Sequence, residues 1–287
     1  MQLSARVPVV LRHAAISTYR NGLIDIAKGA AFSALLSFFP VLTTLATILV
    51  QANAERVSQA IARFLFEVVP PGTEDLVQYA FTLRGARPHW LIAGAALLSI
   101  WSASDVIVSL MAGFQAAYRT PNTRGFWRQR WVAVLLVFLA LLPAIGASLL
   151  LVFSESIAGL VLSWLKFLVP GSFAANLVGF SSRVLSNIIA IATLVFVTSL
   201  LYRYAPSRPR TWVRVWPGAL VATILWSLAT LGFGWYVRNI ATYNIMYGSI
   251  GAAIALLIWM YLLSLIALFG CAYNAETDKL RKEGRIA

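Results

Sequence analysis

Asp105 is the residue of this chain most plainly placed to do chemistry. It lies fifteen residues past Trp90, and no other charged side chain occurs between Trp90 and Ala117. If that run crosses a bilayer, a carboxylate near its middle costs about 2.5–3.5 kcal/mol on insertion scales and needs something to offset it. Ser102 and Ser109, at i−3 and i+4, share its helical face and could hydrogen-bond it inside a bundle. The sharper alternative makes Asp105 a titrating or cation-binding group in a polar pathway, with Ser102 and Ser109 as neighbours of that path.

A second constellation repeats. Tyr118, Arg119, Pro121, Arg124, Trp127, Arg128, Arg130 and Trp131 follow the run that holds Asp105, and Tyr202, Arg203, Pro206, Arg208, Arg210, Trp212, Arg214 and Trp216 echo them further on. Each stretch has four arginines and two tryptophans beside a proline. Arginines that set topology, with tryptophans at the bilayer interface, account for both stretches. Paired anion sites are the alternative, since guanidinium forks bind phosphate or carboxylate bidentately and the rings pack at headgroup depth. The ligands would then be anionic lipid headgroups or a phosphorylated solute.

Enzyme chemistry has little to build on. Two histidines, His13 and His89, and one cysteine, Cys271, give no metal-ligand spacing, and the ten carboxylates are scattered apart from Glu74–Asp75. There is no phosphate-binding glycine loop ahead of Lys-Ser/Thr and no Gly-x-Ser-x-Gly elbow. The expectation is no enzyme, no cofactor and no metal.

These residues must be positioned by membrane helices. Sixty per cent of the chain is hydrophobic and 11% charged, far from the roughly 25% charged content of a soluble domain. Residues 248–272 carry no charge over twenty-five positions, where about 20 suffice to cross a ~30 Å hydrocarbon layer. Six such windows, roughly 29–50, 90–118, 131–154, 184–204, 214–236 and 248–272, predict an all-α polytopic membrane protein. Pro40 and Pro143 fall inside two of them and should loosen those helices locally. No cleavable leader is expected, because the first window begins after Lys28 and is too long for one.

Outside the windows, residues 1–28 interleave Val9, Val10, Ile16 and Leu23 with Arg6, Arg12 and Arg20, as in a helix lying along headgroups. Two short amphipathic helices, around Val57–Val68 and Leu76–Leu83, are expected to cap the outer face. The apolar run Ile157–Val169 reads as an interfacial or re-entrant helix, being only ~20 Å long before Pro170-Gly171. Residues 273–287 form a basic tail.

The net charge of +13 could suggest nucleic acid, but the placement of the charges decides otherwise. Lys and Arg cluster in alternate segments, sixteen of 23 on one side of the predicted bundle, which puts both termini in the cytoplasm. The partners expected are membrane lipids with anionic headgroups, a second copy of the chain or envelope proteins, and no nucleic acid. Small residues suit close helix contacts: Gly248, Gly251 and Ala255, Gly94 and Ala95, Gly218 and Ala222. Trp259 and Tyr261, deep in the last window, need partners for their polar tips.

The stretch Tyr243-Asn244-Ile245-Met246-Tyr247-Gly248-Ser249-Ile250-Gly251, continuing through Trp259 and Tyr261 to Gly270, Asn274 and Glu276, resembles the YihY / virulence factor BrkB family of bacterial inner-membrane proteins. Ala31–Pro40, Trp101–Ser104, Tyr202–Pro206 and Trp216–Ala219 support the resemblance, which covers nearly the whole chain. It implies six spans in the inner membrane and a link to envelope integrity or export. Where the family often reads Gly-Ala-Glu-Leu-Asn, this chain has Gly270-Cys271-Ala272-Tyr273-Asn274, so that carboxylate is missing and Glu276 remains nearby. Members have carried the label ribonuclease BN, a name that belongs to an unrelated soluble metal-dependent nuclease. This sequence lacks the clustered His and Asp ligands such catalysis requires, and ribonuclease activity is not expected. The reading is a transporter or flippase-like exporter of an amphipathic or anionic envelope component; the alternative is a structural membrane protein that transports nothing.

Overall fold

Seven helices account for nearly all the residues, 6–51, 89–165, 171–239 and 248–284, that the computed structural model describes. They are α1 (Arg6–Arg20), α2 (Leu23–Gln51), α3 (His89–Ala117), α4 (Phe126–Leu165), α5 (Gly171–Tyr204), α6 (Trp212–Asn239) and α7 (Gly248–Lys282). The last six are long and apolar enough to cross a membrane, as the sequence predicts. The two short helices expected between residues 55 and 83, and the motif residues Tyr243–Tyr247, lie outside the described residues.

Helix ends differ from the window limits for local reasons. The separate interfacial helix expected at Ile157–Val169 is absent as such: residues 157–165 are the last turns of α4, a 40-residue helix about 60 Å long. α4 is continuous from Phe126 to Leu165, and α5 starts at Gly171. Pro40, Pro143 and Pro217 all sit inside continuous helices. α7 passes the end of its apolar window and runs to Lys282, with Lys279, Arg281 and Lys282 in its last turn, where cations suit the helix dipole. Gly284, with φ +67°, closes it.

The helices form a ring in chain order, α2–α3–α4–α5–α6–α7 and back to α2, with α7 also packing on α3 and carrying α1 along its end. The largest buried cluster lies toward the arginine-rich end. It joins Leu23 and Ala27 of α2, Met111 and Phe114 of α3, Leu136 of α4, Tyr202 of α5, Val215 and Ala219 of α6, and Leu268 of α7. The Tyr202 hydroxyl donates to the Ala267 carbonyl at 2.6 Å, and its ring meets Phe114 edge-on at 5.4 Å.

One crossing is too tight for a side chain: a Cβ on Gly218 would strike the Gly270 carbonyl and the Asn274 amide, whereas one on Gly113 would meet the methyl ends of the Leu268 side chain, which can shift. Gly94 and Ala95, expected to make such contacts, are exposed, and a Cβ on Gly94 would meet nothing within 4 Å. Asn274 mends the backbone where Pro217 interrupts the α6 ladder: its Oδ1 accepts from Gly218 N at 2.7 Å and its Nδ2 donates to Val215 O at 2.8 Å. Trp259 is buried against Phe233, 5.4 Å between ring centres, and Tyr261 is half-buried beside the main cluster. α1 lays Val10 and Ala14 on Tyr273 and Leu280 of α7 and leaves Val9, Ile16 and Tyr19 exposed.

Candidate functional site

Polar side chains inside the apolar helices gather where α2 and α3 pack most extensively. Toward the far end, the Ser99 hydroxyl lies 2.8 Å from Thr44 Oγ1 and from the carbonyl oxygens of Pro40 and Ala95. Nearer the arginine-rich end, Ser33 of α2 donates to Asp105 Oδ2 at 3.1 Å and lies 3.4 Å from the Ser109 hydroxyl. Arg130 reaches in from the first turns of α4 and donates from Nη1 to Asp105 Oδ1 at 2.9 Å. Its guanidinium also stacks on Trp101, 3.9 Å from the ring centre.

The geometry revises the expected pairing. Ser33 and Arg130 hold Asp105; Ser109 reaches it through Ser33, and Ser102 makes no hydrogen bond to it among the described residues. A cation met the need because a hydroxyl cannot neutralise a charge in low dielectric. The Arg130 side chain is 9% exposed and that of Asp105 51%, so the carboxylate shows on the flank of the bundle while its partner is enclosed. Arg130 Nε is buried with no hydrogen-bond partner among the described residues.

At the basic end the two arginine-tryptophan turns meet, and each arginine there has a different duty. Arg124 is a clamp: Nη1 donates to Ala205 O at 2.9 Å, and Nη2 to Pro206 O at 2.7 Å and Tyr204 O at 3.2 Å. It caps the carbonyl end of α5. Partial burial, and then the charge of Arg128, push its pKa below the ordinary arginine range. Arg203 lies over Trp212 at 4.8 Å, and Trp212 stacks on Phe196 at 6.0 Å. Arg128 and Trp127 are exposed. Across the turns, Gln115 donates to Ser207 Oγ at 3.1 Å.

A third element, the extension of α7, completes this end. Arg210 Nη1 and Arg214 Nε each stand 3.9 Å from an oxygen of Asp278, beyond hydrogen-bond reach, and Arg210 also covers the Tyr118 ring at 4.1 Å. Asp278 is 8% exposed, and its Oδ2, like Tyr118 Oη and Arg210 Nε, is buried without a hydrogen-bond partner among the described residues. Such an orphaned oxygen costs about 1–3 kcal/mol, more for a charged group. Beside it opens a cleft of about 370 Å³ lined by Tyr118, Arg119, Arg208, Arg210, Glu276, Asp278, Lys279 and Lys282, among others. Arg119 enters from a left-handed backbone, φ 52°, at the cap of α3, where Thr120 N donates to Gln115 O at 3.0 Å and Arg119 N to Ala116 O at 3.1 Å.

Sequence reasoning missed Ser33 and Asp278. Nothing local links Ser33 to a residue 72 positions away, whereas Asn274 and Asp278 stand four apart and would share a face once the helix is continued through the tail. Among the described residues, no three His, Cys, Asp or Glu side chains come together as a metal would need.

The family described as Virulence factor BrkB matches residues 17–286. A ribonuclease-like protein YfkH of Bacillus subtilis is 29% identical over 88% of this chain and 89% of its own length. A UPF0761 membrane protein of Rhodospirillum centenum is 27% identical over 95% of this chain, and one of Ralstonia nicotianae 26% identical over 94%. Of those two relatives the chain spans only 58% and 59%. No solved structure matches the chain.

Proposed function

The chain belongs to the virulence factor BrkB family of integral membrane proteins, and from that premise we propose that it moves an amphipathic, anionic envelope component across the bacterial inner membrane, with its basic end in the cytoplasm. One observation carries the reading: the half-exposed Asp105 carboxylate, held mid-helix by Arg130 and Ser33 on the flank of the bundle. A polar seam open at the side lets a headgroup pass along the protein while its acyl chains stay in lipid. An anionic headgroup that reaches the exposed side of the pair competes with Asp105 for the Arg130 guanidinium. The charge cost of the crossing then falls on a cation already present in the span.

A non-transporting, lipid-organising role is the second reading. It is favoured by the position of the cleft, which lies at the basic end and does not include Asp105 among its lining residues. The ribonuclease-like name of the Bacillus relative is not carried over, because metal-dependent RNA hydrolysis takes converging carboxylates and imidazoles.

Proteoliposomes carrying a headgroup-labelled anionic lipid separate the two readings. Wild-type protein is expected to speed exchange between leaflets, and Asp105→Asn to change that rate at least tenfold. Rates equal to protein-free vesicles, or an unaltered rate in the variant, sink the transport reading.

A further inference from the structure

The cleft at the basic end is distinct from the Asp105 seam and is built from three separate pieces of chain: the cap of α3, the turn between α5 and α6, and the last turns of α7. Its lining holds five cationic side chains against two carboxylates, a surplus suited to an anion. Its volume of about 370 Å³ is within the usual ligand-site range of roughly 300–1,000 Å³. Cations alone would describe a solvated basic surface. What distinguishes this place is that, among the described residues, Asp278, nine-tenths buried, keeps Oδ2 without a hydrogen bond while Arg210 Nη1 stops 3.9 Å short of it and Arg214 Nε 3.9 Å short of Oδ1, and that Tyr118 Oη has no hydrogen-bond partner either. A fully self-satisfied ion-pair network would have closed those gaps.

We propose that this cleft binds a phosphate ester that also carries a hydrogen-bond donor, an ammonium or a hydroxyl. Arg208, Arg119 and Lys279 at the rim take the phosphate; guanidinium forks match its oxygens. The unpaired Asp278 Oδ2 takes the donor, and Arg210 stays with the Tyr118 ring. Trp127, Trp131 and Trp216 are exposed on the α4 and α6 starts at this same end, which sets the cleft at headgroup depth. Both a phospholipid headgroup and a free phosphorylated solute carry this chemistry.

Equilibrium dialysis of the 287-residue protein in neutral detergent, against labelled phosphoethanolamine and glycerol phosphate, tests the soluble source. Mixed micelles with phosphatidylethanolamine or phosphatidylglycerol test the lipid. Saturable binding of either class is expected; lipid alone assigns a headgroup site, and solute alone a soluble ligand. The variant Arg208→Gln/Lys279→Gln, at two exposed positions, should weaken binding at least tenfold. The equal charge loss in Arg12→Gln/Arg281→Gln, outside the lining, should change it less than twofold. With inorganic phosphate dialysed alongside as the control that carries no ester group, wild type should prefer phosphoethanolamine, and in Asp278→Asn that preference should vanish. No saturable binding, or equal losses in the two double variants, overturns the proposal. Dialysis involves no movement across a bilayer, so this failure and a failure of transport are separate results.

Discussion

Two acid–arginine contacts, built from the same residue types, differ in where they sit and in how tightly they close. Asp105 and Arg130 meet at 2.9 Å with a hydrogen bond, a serine donor and a tryptophan face around them. Asp278 stands 3.9 Å from both Arg210 and Arg214, with one oxygen unpaired. Within the span no water completes a half-made polar contact, so the chain has to close the pair itself. Outside the apolar windows water can complete a half-made contact, and slack in the network costs less there. The tight pair is closed by a hydrogen bond; the loose one leaves Asp278 Oδ2 without a hydrogen-bond partner among the described residues.

The largest effect should come from opening the tight pair. Arg130→Gln leaves Asp105 without its counter-charge and should lower stability by about 2.5–3.5 kcal/mol, the cost of a lone mid-span acid. Thermal unfolding of the purified protein would show the loss, and adding Asp105→Asn should restore most of it. An equal midpoint for both variants would mean that the pair is not what offsets the acid.

A smaller effect of opposite sign should appear at the loose end. Arg119→Gly relieves a left-handed arginine and should raise stability by about 0.5–1 kcal/mol net of glycine's extra chain entropy, while binding at the cleft weakens. Destabilisation instead would show that Arg119 serves the helix cap rather than a ligand. Smallest of all should be Lys28→Gln. That side chain is 63% exposed and, among the described residues, bonds Asp25, 80% exposed, at 2.8 Å. An unmoved unfolding midpoint is expected there, and a clear drop would place both residues closer to the tight pair than to the surface.

The same contrast explains what could be foreseen. Asp105 and the two arginine-tryptophan turns stand out in the sequence because their residue types are costly or concentrated where they fall. What each arginine does is not visible there. Arg124 caps α5 through carbonyl oxygens 80 to 82 positions away, and Arg130 turns inward to Asp105 although its neighbour Arg128 is exposed. The separate-helix reading of Ile157–Val169 failed over 157–165 because apolar composition does not mark where one helix ends and another begins; those residues continue α4 without a break.

By itself the sequence determined the solvent, the helical class and the number of long apolar helices. These follow from transfer free energies and from the rule that backbone polar groups in lipid must be satisfied internally, both of them local and additive along the chain. Only the tertiary structure decided which serine faces Asp105, which arginines are spent on caps and pairs, and that the end of α7 joins the two turns into one cleft. Those outcomes depend on how the helices cross, and the closest crossing requires glycines at 218 and 270, whose tight contacts lie on distant parts of the chain.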